Sequence, residues 1–514
     1  MTARKEDVRD KHWSDLIAEE VINRKKAPFV ISGGMTTSGP AHFGTVCEFL
    51  YPYVIKEAMK ASGAEAEYVF VGDILDAFDS VPFELKEYGD RLKSELGKPL
   101  VHVIDPLGCH KSYGEHYLGQ AEEIMKALKI EVRLLKANEM YEKGEFDRFA
   151  RMYLSREDKV KEVVASSSRK PIESMKGWSP IMPICEKCGK IATTRVTSHS
   201  ADEYEYACDR KTAYTEGCGY VGRNRIEDHK YKLQWRLHWP SWQVIFGTSI
   251  EGGGVDHMTK GGSWDTAYAI HTKILQNDPP VPFKFGFVLI HGHKYSKSKG
   301  IGMSVAEVLR LIPPEMLKYV LIEPNIQQNK DIEADGESLL LLYSEFERLS
   351  MMKVPESRAD EKKLKAYSLS TSKRLWEARF VDVLLNFQIY RDWEKVGTIL
   401  KDPDGVRYLS GYINEWIKRG HMPEKYDFSV SKSKVSNNKE ALTALSERLA
   451  ENMSEVDVHN LIYSVAREKG VEPKDFFATL YMALIGKESG PRLGKLICAI
   501  GTERTRELID YAVS

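Results

Sequence analysis

The sequence predicts an α/β protein, in which a parallel sheet flanked by helices is split by an insertion and followed by an all-helical portion. Three observations carry this reading. β-prone runs alternate with stretches of helical period early in the chain, the alternation stops at about 137 and resumes after 231, and beyond Ser304 nearly all sequence has helical period.

Strands are expected at 27–32, 68–71, 101–104 and 131–135, where β-branched and aromatic residues gather. Between them, 45–60 and the stretch ending near Leu128 space their apolar residues like helices. Residues 243–246 and 285–290 read as later strands of the same sheet. In the interruption, charged helical sequence gives way to a group of cysteines, which marks an insertion. Past Ser304, Pro313, Pro355, Pro403 and Pro473 punctuate helical sequence, and loops such as 431–439 are polar. The expected organisation is therefore a Rossmann-like domain in two halves, 1–136 and 232–303, with a connective insertion at 137–231 and helical regions at 304–360 and 361–514.

A chain of 514 residues exceeds what one core usually organises. Its hydrophobic fraction of 42% and charged fraction of 29% are those of a globular protein, and no apolar run is long enough to span a bilayer. Residues 1–11 lack the apolar core of a secretion signal, so a cytoplasmic protein with no membrane partner is expected. The formal charge of −1 neither demands nor excludes nucleic acid, because binding depends on where basic groups stand. Seven cysteines, four of them clustered, point to a metal site in a reducing compartment and away from a disulfide framework.

Two motifs carry the chemistry. The loop Gly33-Gly34-Met35-Thr36-Thr37-Ser38-Gly39-Pro40-Ala41-His42-Phe43-Gly44-Thr45 runs from the first strand into a helix. A helix N-terminus offers unpaired N–H groups, glycine lets backbone approach a phosphate, and His42 can donate to developing negative charge. Far downstream, Lys294-Tyr295-Ser296-Lys297-Ser298-Lys299-Gly300 packs three ammonium groups into six residues, an arrangement that becomes favourable around a polyanion. One motif after the first strand and the other after the last fit a single crevice at the carboxyl ends of a parallel sheet.

These segments resemble the HIGH and KMSKS signatures of class I aminoacyl-tRNA synthetases. The resemblance implies that Gly39, His42 and Gly44 engage ATP, which arrives with Mg²⁺. It also implies that Lys294 and Lys297, with Ser296 and Ser298 in the same loop, stabilise the reacting phosphate and departing pyrophosphate. Thr45 stands where histidine or asparagine is usual, and its hydroxyl can still donate a hydrogen bond.

Further stretches are similar to the class I lysyl-tRNA synthetases: Asp105-Pro106-Leu107-Gly108-Cys109-His110, Lys232-Leu233-Gln234-Trp235-Arg236 with Trp239-Pro240, Asp256-His257, and Gly486-Lys487-Glu488-Ser489-Gly490-Pro491-Arg492-Leu493. By that similarity Gly34, Thr36, Trp239 and His257 line the amino-acid pocket. Trp239 can pack a lysine stem or its ammonium, and Asp73 can supply a carboxylate or, on the plainer reading, cap the next helix. The stretch 72–79 and His238 depart from the family by losing acids and an aromatic, which leaves open a paralogue for another amino acid.

Cys185 and Cys188 form a CxxC pair, and Cys208 and Cys218 follow with nine residues between them. Four thiolates suit a structural Zn²⁺, with His199 as an alternative ligand. Cys47, Cys109 and Cys498 read as core residues. In the last region Phe476, Phe477, Tyr481, Lys487, Arg492 and Lys495 can stack bases and neutralise phosphate, or can be core and solvated face. The resemblance favours a stem-contact region at 304–360 and an anticodon-binding helical cage at 361–514. Together these readings describe a monomer that ligates lysine to tRNA(Lys) through lysyl-adenylate. The competing readings are a nucleotidyltransferase and an inactive tRNA-binding paralogue.

Overall fold

The computed structural model describes residues 11–294 and 303–514, apart from the side chain of Lys294. They group into two compact units. One holds the described residues through Leu309 with Leu317–Ile332 and Pro355–Ser370; the other holds Arg310–Met316, Glu333–Val354 and Thr371–Ser514. Residues 304–360 are divided between the two. Among the described residues no helix is long and apolar enough to cross a membrane.

In the first unit, helix α1 (Trp13–Arg24) leads into β1 (Phe29–Thr36), α2 (Phe43–Ala61), β2 (Ala66–Asp73), α3 (Tyr113–Ala127) and β3 (Arg133–Lys136). The insertion then holds β4 (Ile181–Pro183), β5 (Thr194–His199), β6 (Glu203–Cys208), β7 (Val221–Arg225) and β8 (Tyr231–Leu233). Helix α4 (Trp235–Phe246) returns the chain to β9 (Ile250–Gly254) and β10 (Val281–Phe285). The central sheet has the order β10-β9-β1-β2-β3 and every pairing in it is parallel. Burial explains why β2 reads as a continuous apolar run: from Tyr68 to Asp73 every residue is buried, as befits a central strand covered on both faces.

Strand order reverses at β1, and there the sheet opens. β1 pairs with β2 along all eight of its residues but meets β9 only at Ile31↔Ile250. The carboxyl ends of β1 and β9 therefore part beyond that rung, which is where open parallel sheets place their ligands.

Several expected elements are corrected. Residues 101–104 are no strand: Leu100–His102 form a short helical turn, tied down by Leu100 N–H to Asp76 O (2.9 Å) and Val101 N–H to Ile74 O (2.8 Å). Residues 243–246 end helix α4, because a short apolar run does not reveal its period. The strand that follows, β9, is Ile-Glu-Gly-Gly-Gly and carries almost no β-formers. Residues 285–290 break at Gly286, where a Cβ would lie 2.5 Å from the Gln328 carbonyl oxygen. Phe285 closes β10, whereas β11 (Val288–Ile290) joins a separate small sheet with β12 (His293–Lys294) and β13 (Lys330–Ile332). β13 interrupts sequence expected to be wholly helical.

The second unit is built of helices around Tyr343, Phe380 and Trp416; the Tyr343 and Phe380 rings stack at 3.7 Å, and the Trp416 indole donates to Leu311 O at 2.9 Å. Five helices between Lys439 and Val513 end the chain.

Candidate active site

A cavity of about 470 Å³ lies where β1 and β9 part. The β1 end supplies Gly34, Met35 and Thr36, the start of α2 supplies His42, Gly44, Thr45 and Glu48, and the β9 end supplies Glu251 to Gly254. Trp235, Trp239 and Trp242 of α4 close one side, with Asp256 and His257 just beyond β9.

His42 is the N-cap of α2. Its Nδ1 accepts the Thr45 backbone N–H at 3.2 Å, so in the neutral ring the proton sits on Nε2, which can act as a donor. A Cβ on Gly44 would stand 2.9 Å from the His42 ring, so glycine there gives the ring its place over the helix start. Gly39, expected on the nucleotide, is absent from the cavity lining. The neighbouring Ser38 carbonyl accepts from the Tyr113 hydroxyl at 2.9 Å, which draws the middle of the loop toward α3. Ser296, Lys297 and Ser298 lie outside the described residues, as does the side chain of Lys294.

Gly34, Thr36, Trp239 and His257, expected to line the amino-acid pocket, come together at this cavity. Trp235, Trp239 and Trp242 fall at helical spacing on one face of α4, with Trp235 and Trp239 stacked at 5.5 Å and Trp235 and Trp242 edge-to-face at 5.5 Å. Gly34 is small for a reason, since a Cβ there would lie 2.9 Å from the Trp242 ring. Trp235 and Trp242, which sequence reasoning did not select, share a seven-residue spacing that could have marked them.

Asp73 is the main correction. It does not line the cavity. Its carboxylate is buried, accepting Lys232 Nζ at 2.6 Å and the Leu75 backbone N–H at 3.3 Å, so it is already neutralised from within. Lys232 also bonds Asp76, which does reach the cavity and accepts from Thr36 Oγ1 at 2.6 Å. Coulombic attraction to these two acids outweighs the burial that would otherwise discharge Lys232, and its pKa is raised. His238, wholly buried beside them, is driven well below its ordinary pKa by burial and by the Lys232 charge, and neither ring nitrogen has a hydrogen-bond partner.

A family model described as tRNA synthetases class I (K) matches residues 11–373, and an anticodon binding domain model matches residues 417–513. The chain belongs to the class I (K) tRNA synthetases. Among its relatives, the lysine--tRNA ligase of Archaeoglobus fulgidus is 32% identical, the match covering 98% of this chain and 100% of that one. The lysine--tRNA ligases of Thermoplasma acidophilum (98% of each chain) and Pyrococcus horikoshii (95% and 97%) are each 28% identical. The cavity at the β1/β9 divide is lined by His42, Gly44 and Thr45 of the first of the two motifs.

The insertion of this synthetase gathers all four clustered cysteines. The Sγ atoms of Cys185, Cys188, Cys208 and Cys218 lie within 4.8 Å of one another, with Cys185–Cys218 and Cys188–Cys208 both at 3.7 Å. Four thiolates on a tetrahedral Zn²⁺ would stand about 3.8 Å apart, so the donor set fits that ion. The nine residues between the second pair fold back on themselves through Gly217 N–H to Arg210 O, which returns Cys218 to the group. His199 is not among the four; it pairs with Glu157 at 2.6 Å.

A second donor set was missed in the sequence. Asp105, Cys109, His110 and His116 also bring one ligand atom each within 4.8 Å of the others, and Cys109 is exposed, not a core residue. The Asp105 carboxylate accepts the backbone N–H groups of Cys109 (2.9 Å) and His110 (2.8 Å), which holds the turn. The pattern Asp-x₃-Cys-His-x₅-His was a usable signal.

In the helical unit, Phe476 is wholly buried, Tyr481 donates to Pro491 O at 2.6 Å, and Lys495 is paired with Asp382. None of the three is placed for bases. Phe477 instead groups with Tyr463 (5.2 Å) and His459 (5.8 Å), and Tyr463 is 42% exposed.

Proposed function

We propose that the protein ligates lysine to tRNA(Lys) in two steps at this crevice. The lysine carboxylate attacks the α-phosphate of Mg²⁺-bound ATP, forming lysyl-adenylate and releasing pyrophosphate. The 2′-hydroxyl of the terminal adenosine then attacks the activated carbonyl, and AMP leaves. The observation that carries this reading is the convergence of His42, Gly44 and Thr45 with Gly34, Thr36, Trp239 and His257 around one cavity. On this reading His42 Nε2–H and the α2 N-terminus bind phosphate as its charge grows, and Lys294 and Lys297, with Ser296 and Ser298, form the opposing clamp.

Cys185, Cys188, Cys208 and Cys218 would hold Zn²⁺, which when bound cross-links the insertion and supplies no catalytic chemistry. Asp105, Cys109, His110 and His116 are a second candidate set of zinc ligands. In the helical unit, the exposed ring of Tyr463 and the half-buried ring of Phe477 beside it are the candidates for stacking on unpaired anticodon bases. Charging total tRNA with each of the twenty amino acids tests the whole reading: lysine alone should be esterified, and a different amino acid would favour the paralogue reading left open by 72–79 and His238.

A further inference from the structure

At the crevice, neutral donors converge on one buried carboxylate that no cation of the protein reaches. Glu251 is 1% exposed, borders the cavity, and takes hydrogen bonds from Ser32 Oγ (2.7 Å), Gln243 Nε2 (2.8 Å) and Trp242 Nε1 (3.2 Å to each oxygen). All three donors are neutral. The buried His271 adds no charge but fixes the arrangement: its Nε2 lies 2.8 Å from Gln243 Oε1, which turns the Gln243 amide so that its NH₂ faces Glu251. Among the described residues no lysine, arginine or histidine forms an ion pair with Glu251. A buried carboxylate without a cation is costly, and proteins tolerate one mainly where a ligand brings the missing charge.

The other acids at the crevice are poor candidates for that charge. Asp76 is held by Lys232 and Thr36, Asp73 lies off the cavity on Lys232, and Asp256 is exposed to solvent. Burial raises the pKa of both Glu48 and Glu251, but Glu48 has only the Gly254 backbone N–H to offset it, whereas several side-chain donors, Ser32, Gln243 and Trp242 among them, converge on Glu251 and favour its charged form. Glu251 is therefore the acceptor, and its setting suits a lysine side chain. The same cavity is bordered by Trp235, Trp239 and Trp242, rings that pack a methylene stem and attract the ammonium at its end.

We infer that Glu251 receives the side-chain ammonium of the amino-acid substrate and thereby selects lysine over neutral amino acids of similar length. The inference rests on the crevice being the amino-acid site proposed above. It also places specificity on a strand end 178 residues downstream of Asp73, the acid the sequence singled out.

The test is steady-state aminoacylation by full-length wild-type protein and Glu251→Gln, with lysine and with norleucine as the neutral probe. Removing one partner of a buried, hydrogen-bonded charge pair is expected to raise the KM for lysine about 100-fold. The KM values for ATP and tRNA should change less than threefold, and the preference for lysine over norleucine should fall by a similar factor of about 100. An unchanged lysine KM, or an equal rise in the KM for ATP, overturns the assignment. If Glu251→Gln does not fold, Glu251→Asp is measured instead; it keeps the charge but withdraws it, so a lysine KM raised at least about tenfold is expected and a rise under threefold overturns the assignment. Wild-type protein that charges no lysine would overturn the function itself, a result distinct from either variant outcome.

Discussion

Lys232 Nζ donates to Asp73 Oδ2 at 2.6 Å where neither side chain meets solvent, and the same ammonium bonds Asp76. Two carboxylates that look available for a cationic substrate are thus answered by a lysine of the chain itself. Breaking such a pair strands a charge, so Lys232→Met should lower unfolding free energy by about 3–5 kcal/mol, measured by denaturant titration. A loss under about 1 kcal/mol would show that the two acids find other compensation.

His42 has two roles that substitution can separate. As an N-cap it accepts the Thr45 N–H, and in the proposed reaction its Nε2–H is the donor to the phosphate. His42→Ala should cost about 1 kcal/mol of stability and slow adenylate formation by roughly 10²–10³-fold. His42→Asn should restore most of the stability and little of the rate. Single-turnover measurements in which His42→Asn stays within about threefold of wild type would leave only the cap.

Burial holds the His271 pKa down from 6.5 to about 4 in the folded protein. Between those values the unfolded chain binds the proton and the folded chain does not. Stability is therefore full above pH 6.5 and is lost as pH falls toward 4, by up to roughly 3 kcal/mol for this group. Comparing wild type with His271→Gln by thermal denaturation across pH 4 to 8 checks this. The difference between the two should vary only on the acid side, and a difference parallel at all pH values would remove His271 from the titration.

The four clustered thiolates should bind one zinc, and Cys208→Ser should lower the zinc content of the protein by one per chain. Metal analysis after dialysis reads this directly. Wild-type protein that carries no metal when purified under reducing conditions would contradict the structural role.

How much of this was legible in the sequence depended on how local each feature is. The β1 loop could be read because a glycine run, a capping histidine and the start of α2 are contiguous, and the CxxC pair could be read for the same reason. β9 could not: Ile250-Glu251-Gly252-Gly253-Gly254 becomes a strand through pairing along β10, which no local propensity announces. Asp73 was misplaced because its partner Lys232 is 159 residues away. In the helical unit, Phe476 and Phe477 are neighbours in sequence but face different ways on one helix, so only packing shows which is buried.

The most direct measurement of the central claim is aminoacylation of purified tRNA(Lys) with radiolabelled lysine, run beside lysine-dependent formation of AMP and pyrophosphate. Stable lysyl-tRNA with one AMP released per ester formed is the expected result. AMP release without esterified tRNA, or esterification by an amino acid other than lysine, would contradict it.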